Sequence, residues 1–177
     1  LGFWSDSHPQ DNPPRLADGS VEVPAWRHAL INYPHPLLER GLVVIDTPGL
    51  NAIGAEPELT LGLLPAAHAI VFLLAADTGV SRSDLSIWTD HLAGDALERF
   101  VVLNNIDTLI DPLSTPAALD AQLDAHRRKI AQTLEMPAAR VFALSARDAL
   151  AARVNGDAAA LERSGLPALE SALAAEL

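Results

Sequence analysis

Four short runs along the chain are apolar at every position: Leu42-Val43-Val44-Ile45, Ala69 to Leu74, Phe100 to Leu103 and Val141 to Leu144. A strand with one face in water alternates apolar and polar residues, because successive side chains point to opposite faces. Strands that are apolar throughout belong to a sheet covered on both faces, and such sheets are mostly parallel. A milder, partly alternating run from Trp26 to Tyr33 predicts one more strand, closed by Pro34 and Pro36.

Helical spacing fills the intervals. Leu59, Leu63 and Ala67 recur with a helical period. Ser81, with Asp84 three residues on, reads as a capping-box start, and Leu85, Trp88 and Leu92 follow on one face. Thr115 is a good cap and Pro116 suits the first helical position. Leu119, Leu123, His126, Ile130 and Leu134 then form a stripe that stops before Pro137. Leu166, Leu169, Leu173 and Leu177 predict a last amphipathic helix, and residues 154–165 read as a loop or broken helix before it. Strand alternating with helix predicts an α/β domain, doubly wound, with a mostly parallel sheet and flanking helices. Residues 1–27, dense in Pro, Asp, Ser and Asn at their start, read as a loop-rich leading segment before a domain at 28–177.

Composition narrows the partners. The 177 residues fit one domain, and 49% hydrophobic content is enough for a core. A net charge of −11 repels DNA, RNA and anionic lipid, so no nucleic-acid partner is expected. A nucleotide is still admissible, since backbone N–H groups and a metal ion can hold its phosphates. With no Cys, disulfides and thiolate metal sites are excluded, which agrees with a cytoplasmic location. The longest apolar run, Ala69 to Ala76, is too short to span a bilayer. The chain opens on Leu1 with no leader-like pattern and reads as a piece of something longer.

Candidate chemistry lies where the strands end, because ligands of doubly wound sheets sit beyond the carboxyl ends of the strands. The first apolar run ends in Asp46-Thr47-Pro48-Gly49, the third in Asn104-Asn105-Ile106-Asp107 and the fourth in Ser145-Ala146-Arg147. An aspartate at a strand end can hold Mg²⁺ through water, and a following glycine lets a backbone N–H approach a γ-phosphate. An Asp carboxylate can accept both N1–H and the exocyclic N2–H₂ of guanine, a pair that adenine does not offer. An Asn amide can donate to N7 and tie neighbouring loops, and small residues such as Ser145 and Ala146 let backbone N–H groups reach O6. Each motif alone also has a bland reading: a strand-to-turn exit for Asp46 to Gly49, a loop cap for Asn104 to Asp107. Their order, and intervals of 58 and 41 residues that each leave room for a helix and a strand, favour the chemical one.

This order resembles the guanine-nucleotide motifs of translation-factor-class GTPases. The stretch Gly41-Leu42-Val43-Val44-Ile45-Asp46-Thr47-Pro48-Gly49-Leu50-Asn51 is similar to bacterial members of the dynamin family. The likeness covers about residues 28–150. It implies a GTP-binding (G) domain with a P-loop NTPase-like fold and GTP or GDP with Mg²⁺ as ligands. Asp46, Thr47, Pro48 and Gly49 would serve the γ-phosphate, with Asp46 on Mg²⁺ through water. Asn104, Asn105, Asp107, Ser145 and Ala146 would form the guanine site, and the segment after Gly49 a switch. The resemblance further implies a parent that hydrolyses GTP, pairs through its G domains and reshapes membranes, attached peripherally at the inner membrane through regions outside these residues.

The chain departs from that pattern. No Gly-x-x-x-x-Gly-Lys-Ser/Thr is present, and the sole lysine, Lys129, follows Arg127-Arg128 within a predicted helix. The first strand and the phosphate-binding loop are therefore missing from these residues, which would leave the piece incompetent alone. Residues 1–40 contain no Thr for a first switch. Asn105 stands in place of a Lys whose stem packs along the base, and Leu50 replaces a water-orienting Gln. No catalytic residue is assigned. Two other readings compete: a degenerate, non-catalytic G-domain-like interaction module, and a phospho-receiver domain. The receiver leaves Asn104 to Asp107 unexplained and lacks an acidic pair near the chain start. The histidines have no ligand spacing, and Arg127-Arg128-Lys129 reads as a solvated helix face.

Overall fold

The computed structural model describes residues 15–20, 29–47, 62, 64–92, 97–109 and 115–176, in two compact units, Leu1–Ala66 and Ala67–Leu177. The division expected after residue 27 falls outside the described residues.

Among the described residues of the first unit, α1 (Pro36–Glu39) forms one helical turn. His35 caps it by accepting from the Leu37 N–H, and Pro36 opens it, a position where a missing N–H costs nothing. Leu42 to Thr47 form no strand. Val43, Val44 and Ile45 are 73%, 71% and 61% exposed. This corrects the expectation of a buried strand there. An apolar run becomes a strand only when a neighbour pairs with its backbone, and Leu42 to Thr47 have no ladder partner among the described residues. The described part of the run ending at Tyr33 is likewise irregular and exposed at Leu30, Ile31 and Tyr33, while Trp26 to His28 lie outside the described residues. The helix expected through Leu59 and Leu63 also lies mostly outside them, and Leu64–Ala66 make a 3-10 turn.

The second unit is the α/β body. Three parallel strands, β1 (Ala69–Ala75), β2 (Glu98–Asn104) and β3 (Val141–Ala143), lie in the order β1-β2-β3. Between β1 and β2 runs α2 (Arg82–Ile87), continued by a π-turn through Leu92. Its capping box forms as expected, with Ser81 accepting from the Asp84 N–H and Asp84 from the Ser81 N–H. Between β2 and β3 runs α3 (Pro116–Thr133), capped by Thr115. Three helices follow β3: α4 (Ala146–Asn155), α5 (Ala158–Arg163) and α6 (Leu166–Glu176). The interruption at residues 154–165 is a broken helix. Gly156 ends α4 at φ 68, where a residue without Cβ is at ease, and Asp157 caps α5.

The core fills both faces of β2, whose Phe100 to Leu103 are 0–2% exposed. On one face Trp88 packs against Phe72, with ring centroids 5.5 Å apart, and its indole N–H donates to the Leu134 carbonyl. On the other, Val102, Leu144 and Leu169 form a cluster joined by Phe142, Leu166 and Leu173. Leu73 is paired with Val102 in register, yet it stays 62% exposed, and the cluster that joins α6 to β2 and β3 includes no β1 residue. Arg127 is not a solvated charge: its Nε donates to the Val141 carbonyl at 2.7 Å and clamps α3 to the start of β3. Among the described residues no helix is long and apolar enough to cross a membrane.

Candidate functional site

The carboxyl ends of β2 and β3 lie side by side because the two strands pair in register, Leu103 with Ala143. Their exit loops are stitched together. The Leu144 N–H donates to the Leu103 carbonyl at 3.0 Å, and the Asn104 carbonyl accepts from the Ala76 N–H at 2.8 Å. The Asn104 side chain reaches across 42 residues of sequence, its Oδ1 accepting from the Ala146 N–H at 3.0 Å. With Oδ1 engaged, the Asn104 amide keeps its two N–H groups for another partner.

Asn105 sits at φ 65. Asn tolerates this left-handed geometry better than a long side chain does, and its carbonyl holds the turn by accepting from the Thr108 N–H and hydroxyl. The turn puts Ile106 in the core and lifts Asp107 to the rim, its side chain 7% exposed. Ser145, 1% exposed, donates its hydroxyl to Asp107 Oδ1 at 2.6 Å and accepts from the Asp148 N–H at 3.1 Å. One hydroxyl therefore both caps α4 and orients the carboxylate. The other oxygen, Oδ2, lies 3.0 Å from the Arg147 guanidinium.

Behind this loop stands a support that sequence reasoning missed. The Ser145 N–H donates to the Ser164 carbonyl at 2.8 Å. Ser164 is itself 3% exposed and is followed by Gly165 at φ 79. A Cβ on Gly165 would lie 2.2 Å from the Ala143 carbonyl oxygen, so only glycine lets the α5–α6 turn approach β3 this closely. The Ser-Gly pair between two helical runs was the available signal, but its use depends on contacts about twenty residues away. The first-turn N–H groups of a helix lack intrahelical partners. In α4 those of Ala146 and Asp148 are taken by Asn104 and Ser145, leaving the Arg147 N–H without a partner among the described residues.

Asp46 and Thr47 belong to the first unit, where Asp46 is exposed and Thr47 half-buried. Pro48, Gly49, Leu50 and the expected switch lie outside the described residues. Among the described residues no group of three or more His, Asp or Glu side chains could hold a metal by itself.

A parallel α/β sheet that gathers polar side chains at the carboxyl ends of its strands has the layout of a nucleotide-binding domain. Comparison with known proteins makes the class specific. The dynamin family model matches residues 10–106, more than half of the 177 residues, and the chain belongs to that family as a dynamin-like G-domain fragment. The match ends at Ile106, so Asp107 and the Ser145 loop lie beyond it. A bacterial dynamin-like protein of Nostoc punctiforme is 29% identical over 153 residues, covering 79% of this chain and 22% of that protein. The isoniazid-induced protein IniA of Mycobacterium tuberculosis is 43% identical over 60 residues, covering 33% of this chain and 9% of that protein. The chain thus spans less than a quarter of the length of either relative.

Proposed function

We propose that the β2–β3 loops are the guanine-reading part of a GTP-binding domain in a dynamin-like GTPase. The observation that carries this reading is the pair of bonds joining the two loops, Asn104 to Ala146 and Ser145 to Asp107. They hold a mostly buried carboxylate and a carboxamide at one rim, a donor and acceptor set suited to a purine with N1–H, N2–H₂ and N7. Asp107 accepts from N1–H and N2–H₂, Asn104 donates its free amide N–H to N7, and Ser145 and Ala146 shape the floor. The Ser145 and Ala146 N–H groups already have protein partners, so O6 falls to the Arg147 N–H.

In this reading Asp46, Thr47, Pro48 and Gly49 would serve the phosphates, and Asp46 would hold Mg²⁺ through water. The metal supplies neutralisation of phosphate charge as it develops. The phosphate-binding loop and first strand come from chain outside these residues. Leu50 cannot orient water, so hydrolysis would rely on help from a second copy of the domain or from a monovalent cation. Membrane remodelling, from a cytoplasmic and peripheral position, belongs to regions outside these residues.

The test is base preference. Asp107→Asn should move binding from GTP toward XTP, whose exocyclic oxygen suits the amide donor, because a buried carboxylate left without its donors costs about 1–3 kcal/mol. Equal loss of both nucleotides, without a shift, would reduce Asp107 to a structural role. The second reading, a degenerate interaction module, is favoured by one observation: Lys129, the only lysine of the chain, lies exposed on α3 and far along the sequence from any phosphate motif. Failure of the full-length protein to bind any guanine nucleotide would decide for it.

A further inference from the structure

In the structure, the carboxylate that should read guanine is already engaged. Asp107 Oδ1 is held by the Ser145 hydroxyl at 2.6 Å, and Oδ2 pairs with Arg147 at 3.0 Å. Arg147 also donates through Nε to Asp148 Oδ1 at 3.2 Å. Its side chain remains 73% exposed, against 7% for Asp107. The partners are thus unequal: a fixed, mostly buried anion and a long cation standing in water.

Arg147 lies in the first turn of α4, where the helix dipole disfavours a positive charge. Two carboxylates, Asp107 and Asp148, offset that penalty. A guanidinium presents adjacent N–H groups in one plane. The N1–H and N2–H₂ of guanine do the same, so the two compete for Asp107. We propose that Arg147 is a self-supplied plug of the guanine site: it occupies the base-reading oxygen of Asp107, and it must leave for a guanine base to bind. This rests on the guanine-site reading above. Arg147 stands mostly in water and can swing off Asp107, and Asp148 keeps the released Arg147 beside the site. The plug is a specificity device as well. A base that lacks the paired N–H groups gains little by displacing Arg147, so adenine meets a closed site.

Two measurements on the full-length protein test the proposal. The first needs no nucleotide. In a ¹⁵N-arginine-labelled sample, the Arg147 guanidinium should show hindered rotation in the wild type and free rotation in Asp107→Ala. Free rotation in the wild type overturns the plug whatever the site binds. The second is a GDP titration. When the binding-competent state is only partly populated, apparent affinity falls by that fraction. Removing a plug that is closed most of the time, as in Arg147→Ala, should therefore tighten GDP binding about 3- to 10-fold. It should leave ADP binding as weak as before, and GDP should free the Arg147 signal in the wild type. GDP binding that is unchanged or weaker in Arg147→Ala overturns the plug and leaves the guanine reading standing. If neither protein binds GDP while Arg147 rotation is still hindered, the guanine reading fails instead, and the proposed role in nucleotide access fails with it. Arg147 itself is largely exposed, and a cooperative thermal melt of Arg147→Ala checks that the variant still folds after Asp107 loses its partner.

Discussion

The stretches Leu42 to Asp46 and Phe100 to Asn104 look alike as sequence: a run of apolar residues closed by a polar one that chemistry can use. In the structure they part company. Phe100 to Leu103 are 0–2% exposed in the middle of a parallel sheet, while Val43 to Ile45 are 61–73% exposed and belong to no sheet. β2 has a strand on each edge and helices on both faces, and Leu42 to Asp46 have none of these among the described residues. Apolar composition makes a segment able to be a strand, but the neighbours decide whether it is one. The same contrast recurs within β1. Leu74 is buried on the face where Phe72 meets Trp88, and Leu73, on the opposite face, is exposed and outside the cluster that α6 makes with β2 and β3.

The largest expected effect tests the buried side of this contrast. Phe100→Ala empties a site that is 0% exposed and removes the ring that meets Phe142 and the Arg140 guanidinium. It should cost about 3–5 kcal/mol, read as a lower urea midpoint. A loss below about 1 kcal/mol would mean that β2 is not the centre of the core.

Next comes the loop support. Gly165→Ala places a Cβ against the Ala143 carbonyl and asks a non-glycine residue to hold φ 79. It should cost about 1–3 kcal/mol and weaken guanine binding, because the turn carries the Ser164 carbonyl that holds the Ser145 N–H. A melting temperature equal to that of the wild type would show that the turn can move away from β3 at no cost.

Ser145→Ala is smaller. It removes the α4 cap and the donor to Asp107 together, at about 0.5–2 kcal/mol, measured by thermal melting. Ser145→Thr keeps the hydroxyl and should recover part of that loss; no recovery would point to packing rather than the bond.

The smallest effect sharpens the exposed side. Val44→Ala in this chain should change stability by no more than about 0.5 kcal/mol, since the side chain is 71% exposed. In a longer chain that supplies the missing strand, the same substitution should become costly. A large loss in this chain would show that Leu42 to Asp46 already pack against something in solution, and the contrast with β2 would break.

By itself the sequence determined the α/β class, the three strands of the sheet, the Ser81 and Thr115 caps and the polar motifs at the strand ends. These follow from period, local capping and turn chemistry, which act over a few residues. It could not say that Leu42 to Asp46 would lie outside the sheet, since pairing needs a partner that local pattern does not supply. Nor could it show that Asn105 adopts a left-handed turn, that Ser164 and Gly165 brace the Ser145 loop, or that Arg147 rests on Asp107. Residues 107 and 145 are 38 positions apart in the chain, and only the parallel register of β2 with β3 sets their side chains at hydrogen-bonding distance. Local chemistry chose the residues. The sheet decided which of them meet, because side-chain bonds form across space and not along the chain.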